Sequence, residues 1–155
     1  MRPCYKWQRL LLGLALLSAA GILGGCSSGP KYSQMTLPSI PSGQGRIIFY
    51  RGTSALGSAV GADVHLNDTV VGRSAVGTFF FVDRDPGNFE VTCATEMKHK
   101  LTLALSPQET KYIQTTVTMG VFVGQIWPNL VDEKTALADI KDCTYTGPPL
   151  PGQSK

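Results

Sequence analysis

Charged residues and histidines are scarce in this chain. Only 16% of its 155 residues are charged, and it contains two histidines and four cysteines. A zinc site usually needs three or four His, Cys or acidic ligands at local spacing, whereas His65 and His99 are far apart in the sequence. We therefore expect no metal site, and we interpret both histidines as surface residues.

Acidic residues are missing from the N-terminal part of the chain, since none precedes Asp63. The formal net charge of +3 arises from Arg2, Lys6 and Arg9, because without these three the basic residues number 14 − 3 = 11 against 11 acidic ones. A phosphate-binding surface needs an excess of Lys and Arg. We therefore expect no nucleic acid partner.

The sequence also lacks the common catalytic motifs. It has no G-x-S-x-G, no P-loop and no H-E-x-x-H. Asp83 and Asp85 stand two residues apart, which does not make a calcium-binding loop, and we interpret them as residues that stabilise a turn. We predict no catalytic residues, no cofactor and no enzymatic activity.

One long apolar run stands out, at residues 10–23. Fourteen helical residues span roughly 21 Å, which is short of the ~30 Å hydrocarbon core of a bilayer. A basic segment, an apolar stretch of this length and small residues after it are typical of a secretory signal peptide. We assign residues 1–25 to this signal.

The four residues that end this segment, Leu23-Gly24-Gly25-Cys26, resemble the lipobox of bacterial lipoproteins. In that motif the cysteine thiol is joined to a diacylglycerol and becomes the new N-terminus. The resemblance implies lipid attachment at Cys26, and Ser27, where inner-membrane lipoproteins commonly carry Asp, favours the outer membrane, facing the periplasm. The alternative is an ordinary secretory signal with an incidental cysteine.

Two segments are rich in Ser, Gly and Pro. Residues 26–45 include the cysteine and read as a flexible tether, and residues 144–155 read as an unpacked Pro-rich tail. Such a tail is either a docking ligand or a solvated end. Residues 46–143 between them are predicted to form one folded domain.

The folded segment has the alternation of β-strands. RIIFYR at residues 46–51 is β-branched and aromatic, and Leu101, Leu103 and Leu105 alternate with polar or small residues. Asn67-Asp68 can form a tight hairpin turn with positive φ angles, and Pro86-Gly87 separates two further strands.

A helical pattern follows the strands. Asp132 is a plausible N-cap for a short helix from about Glu133 to Lys141. The fold class is therefore all-β, an antiparallel β-sandwich of seven or eight short strands with one short C-terminal helix. Phe79, Phe80 and Phe81 need cover on both faces of their strand; if the helix leaves Phe79 and Phe81 bare, they form a partner-binding patch.

Two cysteines remain once Cys4 leaves with the signal and Cys26 carries lipid. The oxidising compartment permits a disulfide between Cys93 and Cys143. Such a bond would close a loop of about fifty residues and contribute about 4 kcal/mol in the chain-entropy model. The alternative is a pair of buried free thiols.

The segments RIIFYRG, VHLNDTVVG, FFFVDRDPGNFEV and ETKYIQ together resemble a family of bacterial lipoprotein domains of unknown function. The Pro-Gly turn is similar to that of small PEGA-type β-sandwich modules, which are associated with carbohydrates or surfaces. The resemblance implies a fold and a location but no activity. It matches Tyr50 and Arg51 in its most recognisable motif.

These inferences predict a non-enzymatic binding or structural module, held in the periplasm by a lipid anchor. Its partners would be the membrane and an envelope protein or peptidoglycan. The alternatives are an accessory subunit of an envelope or secretion complex and an enzyme that modifies envelope material.

Overall fold

The computed structural model describes residues 29–54, 59–95, 97–120 and 124–150. Within these ranges the chain forms a short 3-10 helix at Tyr32–Gln34, nine strands and one α-helix. The elements are β1 (Gly45–Arg51), β2 (Ala62–Leu66), β3 (Thr69–Ser74), β4 (Thr78–Arg84), β5 (Gly87–Ala94), β6 (Lys98–Leu105), β7 (Thr110–Met119), β8 (Gly124–Val131), α1 (Glu133–Ile140) and β9 (Thr144–Tyr145).

The strands form two sheets that pack face to face. The first has the order β8-β7-β1-β4-β9 and the second the order β3-β2-β5-β6. The predicted β-sandwich with one C-terminal helix is confirmed. The first sheet is mixed rather than purely antiparallel, because β1 pairs in parallel with β7 and β4 in parallel with β9. These parallel partners are distant in the chain, so no hairpin joins them.

Strand β1 is buried along its whole length. Ile47 and Phe49 face the second sheet in an inter-sheet core, whereas Ile48 and Tyr50 face a second core on the helix side of the first sheet. This division follows from alternation along a strand that lies at the centre of its sheet. The absence of a polar face in RIIFYR is thereby explained.

The three consecutive phenylalanines of β4 divide between the same two cores. Phe80 lies in the inter-sheet core and stacks on Phe49, with ring centroids 5.0 Å apart. Phe79 and Phe81 belong to the helix-side core. Tyr32 and Tyr145 pack on that face, so no bare partner-binding patch remains there.

The hairpin between β2 and β3 has the predicted turn. Asn67 and Asp68 adopt φ angles of 48° and 63°, as a type I′ turn requires. The Pro86-Gly87 turn differs from expectation. Gly87 does not use a positive φ, and the turn carries the chain from β4 in one sheet to β5 in the other.

Gly72 in β3 is required by a close approach to Phe80. A Cβ at this position would lie 2.5 Å from two atoms of the Phe80 ring, which is held in place by Phe49. We expect Gly72→Ala to lower the free energy of unfolding by about 1–3 kcal/mol, as overpacked cores do. Gly87→Ala is the control, because its Cβ would meet nothing within 4 Å. Urea unfolding of both variants measures the difference in the free energy of unfolding. Equal stabilities of the two variants would contradict the close packing of Gly72 on Phe80.

The helix begins where the sequence predicts. Asp132 caps it by accepting a hydrogen bond from the backbone N–H of Thr135 at 3.0 Å, and Ala136 and Ile140 are its buried residues. Leu137 points outward and is 40% exposed. The helix shares the cover of this face of the first sheet with Tyr32, Met35 and Leu37.

The tether and tail predictions are wrong for the residues that the structure describes. Tyr32, Met35 and Leu37 pack against the helix-side core, as does Leu150 from the tail. Thr144 and Tyr145 add a short strand beside β4. Residues 29–44 and 144–150 are thus parts of the folded body, whereas residues 26–28 and 151–155 lie outside the described residues.

Candidate functional site

The lipid-attachment residue predicted from the sequence, Cys26, lies outside the described residues, which begin three positions later at Gly29. Gly29 packs directly against the backbone of Tyr145, since a Cβ on it would overlap the Tyr145 carbonyl oxygen. Any segment attached through Cys26 therefore joins the folded body at this place. We call residues 29–34 together with residues 144–150 the N-terminal edge.

Backbone hydrogen bonds hold the N-terminal edge together. The Tyr145 N–H donates to the Pro30 carbonyl at 2.9 Å, and the Tyr32 N–H donates to the Cys143 carbonyl at 2.9 Å. Lys31 pairs with Thr144 in an antiparallel bridge. Because β4 occupies the other side of Thr144, the N-terminal segment lies beyond β9 and covers the edge of the first sheet.

Aromatic contacts reinforce this attachment. The Tyr32 ring meets Phe79 edge-on at 5.2 Å between centroids, and Tyr145 lies 5.3 Å from Phe79 and 5.7 Å from Phe81. Such ring pairs contribute about 0.5–1.5 kcal/mol each beyond their buried area. The N-terminal edge is therefore a packed structure.

Arg46 binds the N-terminal segment at Pro38. Its guanidinium forms two hydrogen bonds to the Asp83 carboxylate, at 2.7 and 2.8 Å, and a third to the Pro38 carbonyl at 2.7 Å. It lies 4.3 Å above the centre of the Phe81 ring. Asp83 is thus an ion-pair partner; Asp85, in the turn itself, accepts a hydrogen bond from Gln44 at 3.1 Å.

The predicted disulfide is not formed in the structure. Cys93 lies in the inter-sheet core and Cys143 in the helix-side core, so the first sheet separates them. Both are free and buried, and the Cys143 thiol donates a hydrogen bond to the Arg51 carbonyl at 3.3 Å. Alternation places Cys93 inside, but the sequence does not reveal that Cys143 packs on the other side of the first sheet.

Both thiols are poorly reactive because they are buried. Burial raises the pKa of the Cys93 thiol to about 12 and that of Cys143 to about 11, so both stay protonated at neutral pH and neither is an activated nucleophile. We expect the folded protein to react slowly with a thiol reagent at pH 8, and the unfolded mature chain to expose both thiols. Mobility on gels should be the same with and without reductant; a shift on reduction would contradict the placement of the two cysteines.

Other buried titratable groups also stay protonated. Burial raises the pKa of Tyr50 to about 12, and its hydroxyl has no hydrogen-bond partner among the described residues. Burial likewise raises the pKa of Tyr112, whose hydroxyl donates to Glu133 at 3.4 Å. Neither tyrosine is a general base near neutral pH.

Metal ligands are not brought together in the part of the chain that the structure describes. No group of three or more His, Cys, Asp or Glu side chains there could hold a metal ion. In the same residues, no helix is long and apolar enough to cross a membrane.

His99 is a residue that the sequence interpretation missed. It is buried rather than on the surface, it stacks on Trp127 with ring centroids 3.6 Å apart, and its Nε2 lies 3.1 Å from Gln125 Oε1. The pair joins β6 of one sheet to β8 of the other. Alternation with Leu101, two residues further on, could have revealed that His99 points inward; His65, by contrast, is half-buried.

Trp127 gives β8 a half-exposed aromatic surface. The indole is 43% exposed, and its N–H donates to the Thr118 hydroxyl at 3.0 Å. Met119 is also exposed, but it pairs with Gly124 whereas Trp127 pairs with Thr116, so alternation places it on the other face of the first sheet. We call the exposed part of the Trp127 indole the Trp127 surface.

Comparison with known families identifies the family of the sandwich domain. Residues 41–126 match the family described as "Protein of unknown function (DUF2846)". The chain belongs to this family. The match includes β1 to β7 and the start of β8 but leaves out α1 and the whole N-terminal edge. No curated protein and no solved structure matches the chain. The expected membership of an unknown-function domain family is confirmed, and the family description adds no activity.

Proposed function

We propose that this protein is a lipid-anchored lipoprotein of the bacterial cell envelope whose β-sandwich is a non-enzymatic binding or structural module. The observation that carries the proposal is Cys26 directly after Leu23-Gly24-Gly25, at the end of a basic and then apolar segment. The anchor would hold the domain at the outer membrane, facing the periplasm.

The lipid chemistry accounts for the residues at this border. Only a thiol forms the thioether to diacylglycerol, and small residues before it let a peptidase approach the backbone. Each buried CH₂ of an acyl chain adds ~0.8 kcal/mol, so two or more chains make a stable anchor.

Membrane sorting tests the proposal. On a density gradient of cell membranes, the wild-type protein should sediment with outer membrane, and Ser27→Asp should move it to inner membrane. Both forms should incorporate labelled palmitate. A protein found in neither membrane, or one without label, would contradict the proposal. Labelled wild-type protein in the inner membrane would contradict only the assignment to the outer membrane, and a labelled Ser27→Asp protein that stays in the outer membrane would contradict the role of Ser27 in sorting.

A second candidate function is an accessory subunit of an envelope complex. The Trp127 surface favours it, since the indole is 43% exposed and Trp side chains are enriched at protein interfaces. Docking through the Pro-rich tail has less support, because residues 144–150 pack on the body. The likeness of the Pro86-Gly87 turn to PEGA-type modules favours a carbohydrate partner, peptidoglycan, instead.

One pair of assays separates these partners. Detergent-extracted protein is pulled down with its bound proteins and, separately, sedimented with purified peptidoglycan. If the protein is a complex subunit, a defined partner protein should be pulled down with the wild type and with Leu137→Ala but not with Trp127→Ala. If it is a peptidoglycan binder, it should sediment with the polymer. Leu137 is a suitable control because it is similarly exposed but lies on the helix.

A further inference from the structure

The first sheet contains a row of paired residues that runs from one edge to the other. Tyr145 pairs with Phe79, Phe79 with Tyr50, Tyr50 with Gln114 and Gln114 with Asn129. Neighbouring strands lie about 4.8 Å apart, so four steps place Asn129 roughly 19 Å from Tyr145. This row links the N-terminal edge to β8, the strand that carries Trp127.

The described part of the chain begins at the outer end of this row. Gly29 packs on Tyr145, and Lys31 pairs with Thr144 on the side away from β4. Three Cα–Cα steps separate Gly29 from Cys26, which is at most about 11 Å. A lipid on Cys26 would therefore hold this edge close to the bilayer, in place of the long tether that the composition suggested.

We propose that the N-terminal edge lies against the lipid headgroups and that the opposite edge, β8 with Trp127, faces away from the membrane. This inference rests on the proposed lipid attachment at Cys26. The short connection sets the orientation, because a longer tether would let any face of the domain approach the bilayer.

The chemistry of the N-terminal edge suits contact with headgroups. Thr146, Pro148 and Pro149 are exposed there. Lys31 forms an ion pair with Asp142 at 3.5 Å, so the pair adds no net negative charge to repel an anionic lipid surface. The N-terminal edge contains no acidic residue, and Lys31 is its one charged residue.

Two matched labelling sites test the orientation. Thr146→Cys places a label on the N-terminal edge, and Asn129→Cys places one on β8 at nearly the same level of the sheet. Cys93 and Cys143 are buried, so a fluorescent thiol reagent labels the new cysteine selectively. The full-length lipoprotein variants are isolated from membranes, labelled and reconstituted into vesicles that contain a headgroup-quencher lipid.

We expect strong quenching of the label at residue 146 and several-fold weaker quenching at residue 129. A twelve-residue Gly-Ser insertion between Ser28 and Gly29 should reduce this difference, because a coil of about fifteen residues spans roughly 21 Å. Equal quenching at the two sites without the insertion would overturn the orientation while the anchor stands, provided that intact mass shows lipid on Cys26. Absence of that lipid would overturn the anchor and the orientation together.

Discussion

Replacing Asp83 with alanine should lower the free energy of unfolding by about 3 kcal/mol, because the Arg46 guanidinium would be left buried without its carboxylate. The Arg46 side chain is 4% exposed and that of Asp83 is 18% exposed. We expect the lower end of the range for buried pairs, since water reaches part of the carboxylate. Urea unfolding followed by circular dichroism measures the change.

The exposed pair of Arg73 and Asp63 provides the matched control. These side chains have the same chemistry and a distance of 3.0 Å, but they are 64% and 52% exposed. Asp63→Ala should therefore change the stability by at most ~1 kcal/mol. Equal losses in the two variants would show that burial of Arg46 does not determine the effect, contrary to the structure.

On the proposed function, replacing Cys26 with alanine should abolish lipid attachment, because Leu23, Gly24, Gly25 and Ser27 offer no thiol for the thioether. Palmitate incorporation should fall to background, and the chain should keep residues 1–25, since the signal peptidase of lipoproteins acts after lipid transfer. Labelled palmitate and the size of the polypeptide together measure both effects.

Cys4→Ala is the control for this substitution. Cys4 lies in the basic segment before the apolar run and would leave with the signal peptide. It should retain full palmitate incorporation and normal processing. Label that persists in Cys26→Ala would place the lipid on another residue. Loss of label in Cys4→Ala would contradict the assignment of Cys4 to a removed signal peptide.

Local patterns were enough to predict most of the sandwich. Alternation assigned the inward face of β6 at Leu101, Leu103 and Leu105, and Asp132 marked the start of α1. The Asn67-Asp68 turn followed from the residues that tolerate a positive φ. These features depend on neighbours in the chain, which is why the sequence reveals them.

Features that depend on distant contacts were missed. Residues 29–44 have the composition of a tether, yet the Tyr32 ring packs on Phe79 and the Pro38 carbonyl accepts a hydrogen bond from Arg46. The disulfide prediction failed for the same reason, since nothing local places Cys93 and Cys143 in different cores. At the candidate site, the sequence supplies the resemblance of residues 23–26 to a lipobox, and the structure supplies the packed edge that begins at Gly29.

The intact mass of the protein extracted from membranes tests the central claim most directly. The account predicts a chain that starts at Cys26 and is heavier by a diacylglycerol and any further acyl group, and that gains two alkyl groups after unfolding in a thiol reagent without reductant, at Cys93 and Cys143. An unmodified chain, or one whose cleavage site lies elsewhere, would contradict the lipid anchor. A lipidated chain that takes up no alkyl groups would instead contradict the placement of the two thiols in separate cores.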